Sequence, residues 1–215
     1  MNRSEILKFI SEDRFRPYLL KCDGDLALAF KLYENNIIIS QSFYALLSVL
    51  EVTLRNKIDL CFKKHFCNEF WLGGELPEEI AKHVRGVEQK LLKNKRSISN
   101  SSILSELNFG FWTILLNRSF AKKYWKPLHK VFEHIPKDQR KRARISSKLN
   151  HIRIFRNRIY HYEPVIWNME VLDQKHVDIF EVLYWLNPET AEWASHIDTY
   201  EEIKSRIQHV KFKSG

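Results

Sequence analysis

Residues 38–66 read IISQSFYALLSVLEVTLRNKIDLCFKKHF, and the spacing of their apolar positions decides the fold class. Phe43, Leu47, Leu50, Leu54, Ile58 and Cys61 follow one another at intervals of three or four residues, which lines them along one face of an α-helix. Such a stripe must be covered by other elements, so the stretch is expected to be a core helix. On its flank Glu51 precedes Arg55 by one turn, the favourable order for an ion pair within a helix.

Working outward, the same periodicity recurs and no stretch shows the alternation of a half-buried strand. Short helices are expected near Ser4–Ile10 and Asp25–Tyr33. Pro77-Glu78-Glu79 opens a polar helix to about Lys95, with proline in its first turn and acids near the positive end of the dipole. Ser97 to Ser102 reads as a polar loop. Ile103 to Trp125 reads as one or two short core helices interrupted near Gly110, followed by a connector bracketed by Pro127 and Pro136. Further helices are expected over Val171–Leu186 and Thr199–Val210, with a short start at Pro188-Glu189-Thr190. The fold class is therefore all-α, as a single helical domain over residues 1–215.

Composition removes several function classes. Six glycines and six prolines leave no glycine-rich phosphate loop, so no nucleotide cofactor is expected. Cys22, Cys61 and Cys67 are irregularly placed, and Cys61, His65 and Cys67 lack the fourth ligand a structural zinc requires, so buried thiols and no metal are expected. The N-terminus leads into no signal-peptide apolar region, and the charge-free stretch from Asn35 to Leu50 falls short of a membrane span. A cytoplasmic location, with no membrane partner, is the expectation.

The formal charge of +9 is concentrated: residues 137–158 hold nine lysines and arginines against one acid, Asp138. A local field of this sign attracts polyanions, with RNA, DNA and acidic membrane as the candidates. The window is expected to form one helix from about Lys137 to His161, with Ile145, Leu149, Ile152, Phe155 and Ile159 as its buried stripe and Pro164 beyond its end.

Arg156-Asn157-Arg158-Ile159-Tyr160-His161 closes that helix. Asn157 and His161, four residues apart, share a face, whereas Arg156 lies about 140° around the axis from His161. Regular geometry in one chain does not aim both at one point, so either the helix end distorts or two copies combine. Histidine titrates near neutrality and serves as base or acid, and guanidinium stays charged and grips phosphate oxygens. These are the groups that metal-free RNA cleavage needs. His151, about 80° and about 15 Å from His161, is a candidate RNA contact only. Trp112, Tyr124 and Trp125 sit in apolar company and are expected in the core.

The hexapeptide resembles the R-x4-6-H signature of HEPN domains. Leu50-Glu51-Val52-Thr53-Leu54-Arg55-Asn56, Ser105-Glu106-Leu107-Asn108-Phe109-Gly110-Phe111-Trp112, Leu149-Asn150-His151-Ile152-Arg153 and Trp185-Leu186-Asn187-Pro188-Glu189 are similar, in order, to blocks of the Abi-like abortive-infection family. The resemblance implies a HEPN-like helical bundle with additional helices. It implies a homodimeric, metal-independent endoribonuclease of toxin or phage-defence type that leaves a 2′,3′-cyclic phosphate and is sometimes restrained by an RNA or protein antitoxin. On it, His161 is base or acid, Arg156 the phosphate stabiliser and Asn157 the group that orients His161. Glu51 and Arg55 are candidate supports, and Lys148, Arg153, Arg158 and Tyr160 candidate RNA contacts. The alternative is a helical RNA-binding or antitoxin-binding module that does not cut.

Overall fold

Capping and burial together explain why the long helix is longer than its apolar stripe. In the computed structural model, which describes residues 3–207, Asp25 accepts hydrogen bonds from the amides of Ala27 and Leu28 at 2.8 and 3.0 Å and starts a helix that ends only at Phe66. Before it come α1 (Arg3–Ile10) and α2 (Glu12–Lys21), and the 41-residue helix is α3 (Leu26–Phe66). At 1.5 Å per residue α3 is about 60 Å long. A 3-10 turn at Trp71–Gly73 leads to α4 (Glu78–Lys93), α5 (Asn100–Glu106) and α6 (Phe109–Ile114). A second 3-10 turn at Arg118–Phe120 precedes α7 (Ala121–Val131), α8 (Arg142–Tyr160), α9 (Met169–Leu186), α10 (Pro188–Ser195) and α11 (Tyr200–Arg206). Every regular element among the described residues is helical, as the periodicity implies.

The other helices pack around α3. Helices α2, α6, α7, α9, α10 and α11 all contact it, while α8 lies on α6, α7 and α9 and reaches α3 through side chains. Phe43, Leu47, Leu50, Leu54 and Ile58 are buried, joined in one continuous core by Trp112, Tyr124, Phe155 and Leu183. Each such aliphatic side chain contributes about 1.5–3 kcal/mol by leaving water. By length and composition α3 is also apolar enough to cross a membrane, which the 16-residue estimate from Asn35 to Leu50 missed because the helix continues beyond both ends; 44% of its most apolar window is buried in the fold.

Several boundaries differ from the sequence expectation. No break separates Tyr33 from Ile38, because Asn36, buried within α3, accepts hydrogen bonds from the amides of Val165 and Ile166 at 2.7 and 3.2 Å. Helix α2, not foreseen, has Ser11 as its cap and carries Pro17 inside. Ser99 caps α5, so the expected loop is half helix. The interruption expected near Gly110 falls at Leu107-Asn108, between α5 and α6, with Gly110 itself inside α6, whereas Pro127 lies within α7 rather than at the edge of a connector. Helix α8 begins at Arg142 because residues 136–140 form a turn in which the amides of Gln139 and Arg140 donate to Pro136 O. The end of the expected Thr199–Val210 helix lies outside the described residues; its described part, α11, stops at Arg206.

Candidate functional site

The basic helix α8 is anchored by its apolar face, not by its ends. Ile145, Leu149, Ile152, Phe155 and Ile159 are all buried, and the Phe155 ring meets Phe43 of α3 edge-on at 4.8 Å. At its N-terminus α8 has no acid in the first turn and no side-chain cap, an unfavourable arrangement for the dipole. The cations there serve neighbouring helices instead. Arg142 donates to Leu116 O at 2.6 Å, at the end of α6, and Arg140 donates to Ile135 O beyond α7. Gly110 lets α6 approach: a Cβ there would stand 3.0 Å from Asn108 Oδ1 and 3.8 Å from the Arg153 side chain.

The C-terminal end is a tight left-handed turn. Tyr162 N–H donates to Ile159 O at 3.0 Å and Glu163 N–H to Arg158 O at 2.8 Å, the paired bonds of a Schellman motif. The residue at its left-handed position is Tyr162, with φ 58°, where glycine is usual. Arg14 of α2 fastens the turn from outside, donating to the carbonyls of His161 at 3.0 Å and Tyr162 at 2.9 Å. Neither Arg14 nor Tyr162 carries a sequence signal for this role, since they meet only through the tertiary fold.

Arg156 is held from two sides. Its guanidinium lies 3.3 Å from the Glu51 carboxylate and 4.1 Å from the centre of the Tyr160 ring. Glu51 thus pairs across helices with Arg156, and the expected Glu51–Arg55 ion pair does not form. The Nε atoms of Arg55 and Arg156 are both buried without a hydrogen-bond partner. His161 is exposed, just past the last residue of α8, and its amide donates to Asn157 O at 2.9 Å. Among the described residues no side-chain hydrogen bond links Asn157 to His161, so the expected orienting contact is not made within one chain. Asn150, Ile154, Asn157 and His161 follow at intervals of four, three and four along one line of α8, where Ile154 is 51% exposed.

The candidate RNA contacts separate into two kinds. Lys148 is a packed cation: it bonds Asp178 at 2.6 Å and also Glu181, and lies over the Trp185 ring. Arg153 bonds Asn150 at 3.2 Å, while Arg158 is half-exposed between Glu163, at 3.4 Å, and the Pro164 carbonyl. Tyr160 is exposed, its ring between Arg156 and Tyr44, the latter at 5.4 Å. Glu51, Glu163, Asp178 and Glu181 therefore bring four negative charges to Arg156, Arg158, Lys148 and Arg144, and eight less four leaves +4 of the charge in the 137–158 window. The surplus lies mainly toward the start of α8, at Lys137, Arg140, Lys141 and Arg142.

Other expectations resolve as packing. Trp112 and Tyr124 are fully buried, and burial pushes the Tyr124 hydroxyl up to about 12. Cys22 is buried and Cys61 partly so, bonded through Sγ to Pro127 O, but Cys67 is exposed at the end of α3. His151 is exposed. Sequence reasoning passed over His176, which stacks on Tyr200 at 4.5 Å and bonds Asp198 at 2.6 Å; with Tyr200 and Lys204 on Asp173 it ties α11 to α9.

No protein-family model, curated protein or solved structure matches the chain. The four blocks of resemblance nevertheless have a common place. One contains Glu51, which holds Arg156; one contains Gly110, against Arg153; one, residues 149–153, is part of α8; and one contains Trp185, under Arg144 and Lys148.

Proposed function

We propose that the chain is a metal-independent endoribonuclease of the HEPN type, Abi-like in its blocks, acting as a toxin or phage-defence effector. The observation that carries this reading is the end of α8, which presents an unpartnered, exposed imidazole at His161 and, on another face five residues earlier, an arginine, Arg156, gripped by Glu51 and Tyr160. In the proposed reaction one His161 takes the proton of a ribose 2′-hydroxyl, and that oxygen attacks the adjacent phosphorus. Arg156 stabilises the charge on the phosphoryl oxygens. A proton from a second His161 goes to the departing 5′-oxygen, leaving a 2′,3′-cyclic phosphate and a 5′-hydroxyl.

Two copies meet this need. The line Asn150, Ile154, Asn157 and His161 has the three-and-four spacing of a helix seam, and its exposed Ile154 gives it an apolar centre. Pairing of two α8 helices along this line forms the proposed homodimer and brings Asn157 of one copy toward His161 of the other. The proposed setting is the cytoplasm, with RNA as substrate and an RNA or protein antitoxin as restraint.

The test is incubation of purified protein with RNA in EDTA. Cleavage that survives chelation, yields 2′,3′-cyclic ends, and is lost in both Arg156→Ala and His161→Ala supports the enzyme. RNA binding without cleavage supports the alternative module, a reading favoured by the Arg156–Glu51 pair, which occupies the arginine within one chain. A fully active monomer by sedimentation would discard the composite site.

A further inference from the structure

The ring of Tyr162 is carried on a backbone position, φ 58°, that does not favour it. A left-handed C-terminal position favours glycine, and a bulky L-residue there is strained. The conformation is nonetheless enforced from both sides: by Arg14 on the carbonyls of His161 and Tyr162, and by Asn36 on the amides of Val165 and Ile166. The enforced ring is 68% exposed and forms one wall of a cleft of about 340 Å³ between α2, α3 and the end of α8.

We propose that this cleft binds one nucleobase of single-stranded RNA, stacked on Tyr162, next to the phosphate that Arg156 would hold. The inference rests on the ribonuclease reading of that neighbouring site.

The lining has the chemistry of a base site. Tyr33, Tyr44 and Tyr162 supply aromatic surface, and the Arg14 guanidinium stands 5.9 Å from the Tyr162 ring, so a π-face meets both rings and a cation. Ser40 and Gln41 line the same cleft and offer a hydroxyl and an amide to a base edge. Its volume lies near the lower end of the range of about 300–1,000 Å³ for small-molecule sites, which suits one base rather than a folded RNA element. The cleft is continuous with the candidate catalytic end of α8: Tyr44 contacts Tyr160 at 5.4 Å, and Tyr160 carries the Arg156 guanidinium at 4.1 Å. Burial and the nearby hydroxyls of Tyr162 and Tyr160 push the Tyr44 hydroxyl up, as expected where three phenols converge.

The strain supplies an unusual test, because removing the ring should help the fold while harming the site. In a His161→Ala background, binding of a labelled single-stranded RNA decamer is measured by anisotropy in EDTA. Tyr162→Gly is expected to melt about 2–4 °C higher, yet to bind the RNA about tenfold more weakly. Tyr162→Phe is expected to bind within about twofold of its parent, since stacking is kept. Tyr162→Asn, an alternative that tolerates left-handed backbone, is expected to behave as the glycine variant does.

Unchanged RNA affinity in both Tyr162→Gly and Tyr162→Asn would overturn the base site, as would equal losses in Tyr162→Phe and Tyr162→Gly or the absence of RNA binding by the parent. If the affinity pattern holds while protein with His161 intact does not cleave, the ribonuclease reading falls and the base site stands. If intact protein cleaves but Tyr162→Gly and Tyr162→Asn leave affinity and cut positions unaltered, the base site alone falls.

Discussion

The two halves of α8 are equally basic in sequence and differ in what their cations do. In the first half, Arg142, Arg144 and Lys148 reach back into the protein, to Leu116 O, Glu181 and Asp178. In the second, Arg156 and Arg158 are paired near the surface, and Tyr160, His161 and Tyr162 stand exposed around them. A run of positive charge is thus two devices in succession: a clamp that fixes the helix and an exposed terminus, the one to which the proposed chemistry is assigned. The first should matter to stability and the second to activity.

The largest expected effect breaks the second half alone. On the ribonuclease proposal, His161→Ala should lower kcat/KM for RNA about 10³-fold, the loss of a general acid–base group, and leave the melting temperature within about 1 °C, because an exposed side chain without a partner is removed. Lys148→Met should show the reverse. It leaves the buried Asp178 with Gln174 as its remaining polar partner, at 3.1 Å, and should cost about 3 kcal/mol of stability without altering the cleavage rate of folded protein. A loss of activity in Lys148→Met below its melting transition would erase the distinction between the halves.

The same clamp has a pH signature. Burial opposes the charge of Lys148, but hydrogen bonds to Asp178 and Glu181 and their charges outweigh it, so its pKa is raised. The contribution is therefore fully present below the unfolded lysine value of about 10.4 and is lost as pH rises through the higher folded value. Denaturant melts between pH 9 and 11.5, on the order of that interval, should show stability falling more steeply in the native protein than in Lys148→Met.

Sequence periodicity reached as far as local rules allow. The stripe from Phe43 to Ile58 and that from Ile145 to Ile159 both lie in the core, because burial of one helix face is written at intervals of three and four. What failed were residues whose meaning depends on a distant partner. The gap left between Tyr33 and Ile38 closes because the amides of Val165 and Ile166 donate hydrogen bonds to Asn36. At the candidate site Arg156, Asn157 and His161 were legible as a spacing at one helix end. The choice of Arg156 over Arg55 by Glu51 was not, nor were Arg14 and Tyr162, whose contacts join residues more than a hundred positions apart. Window charge was misleading for the same reason, since α3 and α9 bring carboxylates to it from elsewhere in the chain.

Glu51→Gln probes the boundary between clamp and site. It keeps the shape beside Arg156 and removes the charge that holds it, so the guanidinium is expected to wander over Tyr160. A fall of about tenfold in kcat, or about 1.4 kcal/mol in the barrier, with little change in KM would mark Glu51 as a positioning residue. Equal activity with lowered stability would assign Glu51 to the clamp.

The smallest effect refines the first half. Arg144 also pairs with Glu181, at 3.1 Å, and lies 5.4 Å from the Trp185 ring, yet its side chain is 41% exposed against 20% for that of Lys148. Water screens an exposed pair and the long side chain loses rotamer freedom in forming it, so Arg144→Ala should cost about 0.5 kcal/mol or less. Equal losses in Arg144→Ala and Lys148→Met would mean that the clamp acts through the aromatic surface of Trp185, which both cations cover. A sixfold difference, on the order expected from the two estimates, would place its strength in the buried carboxylate of Asp178.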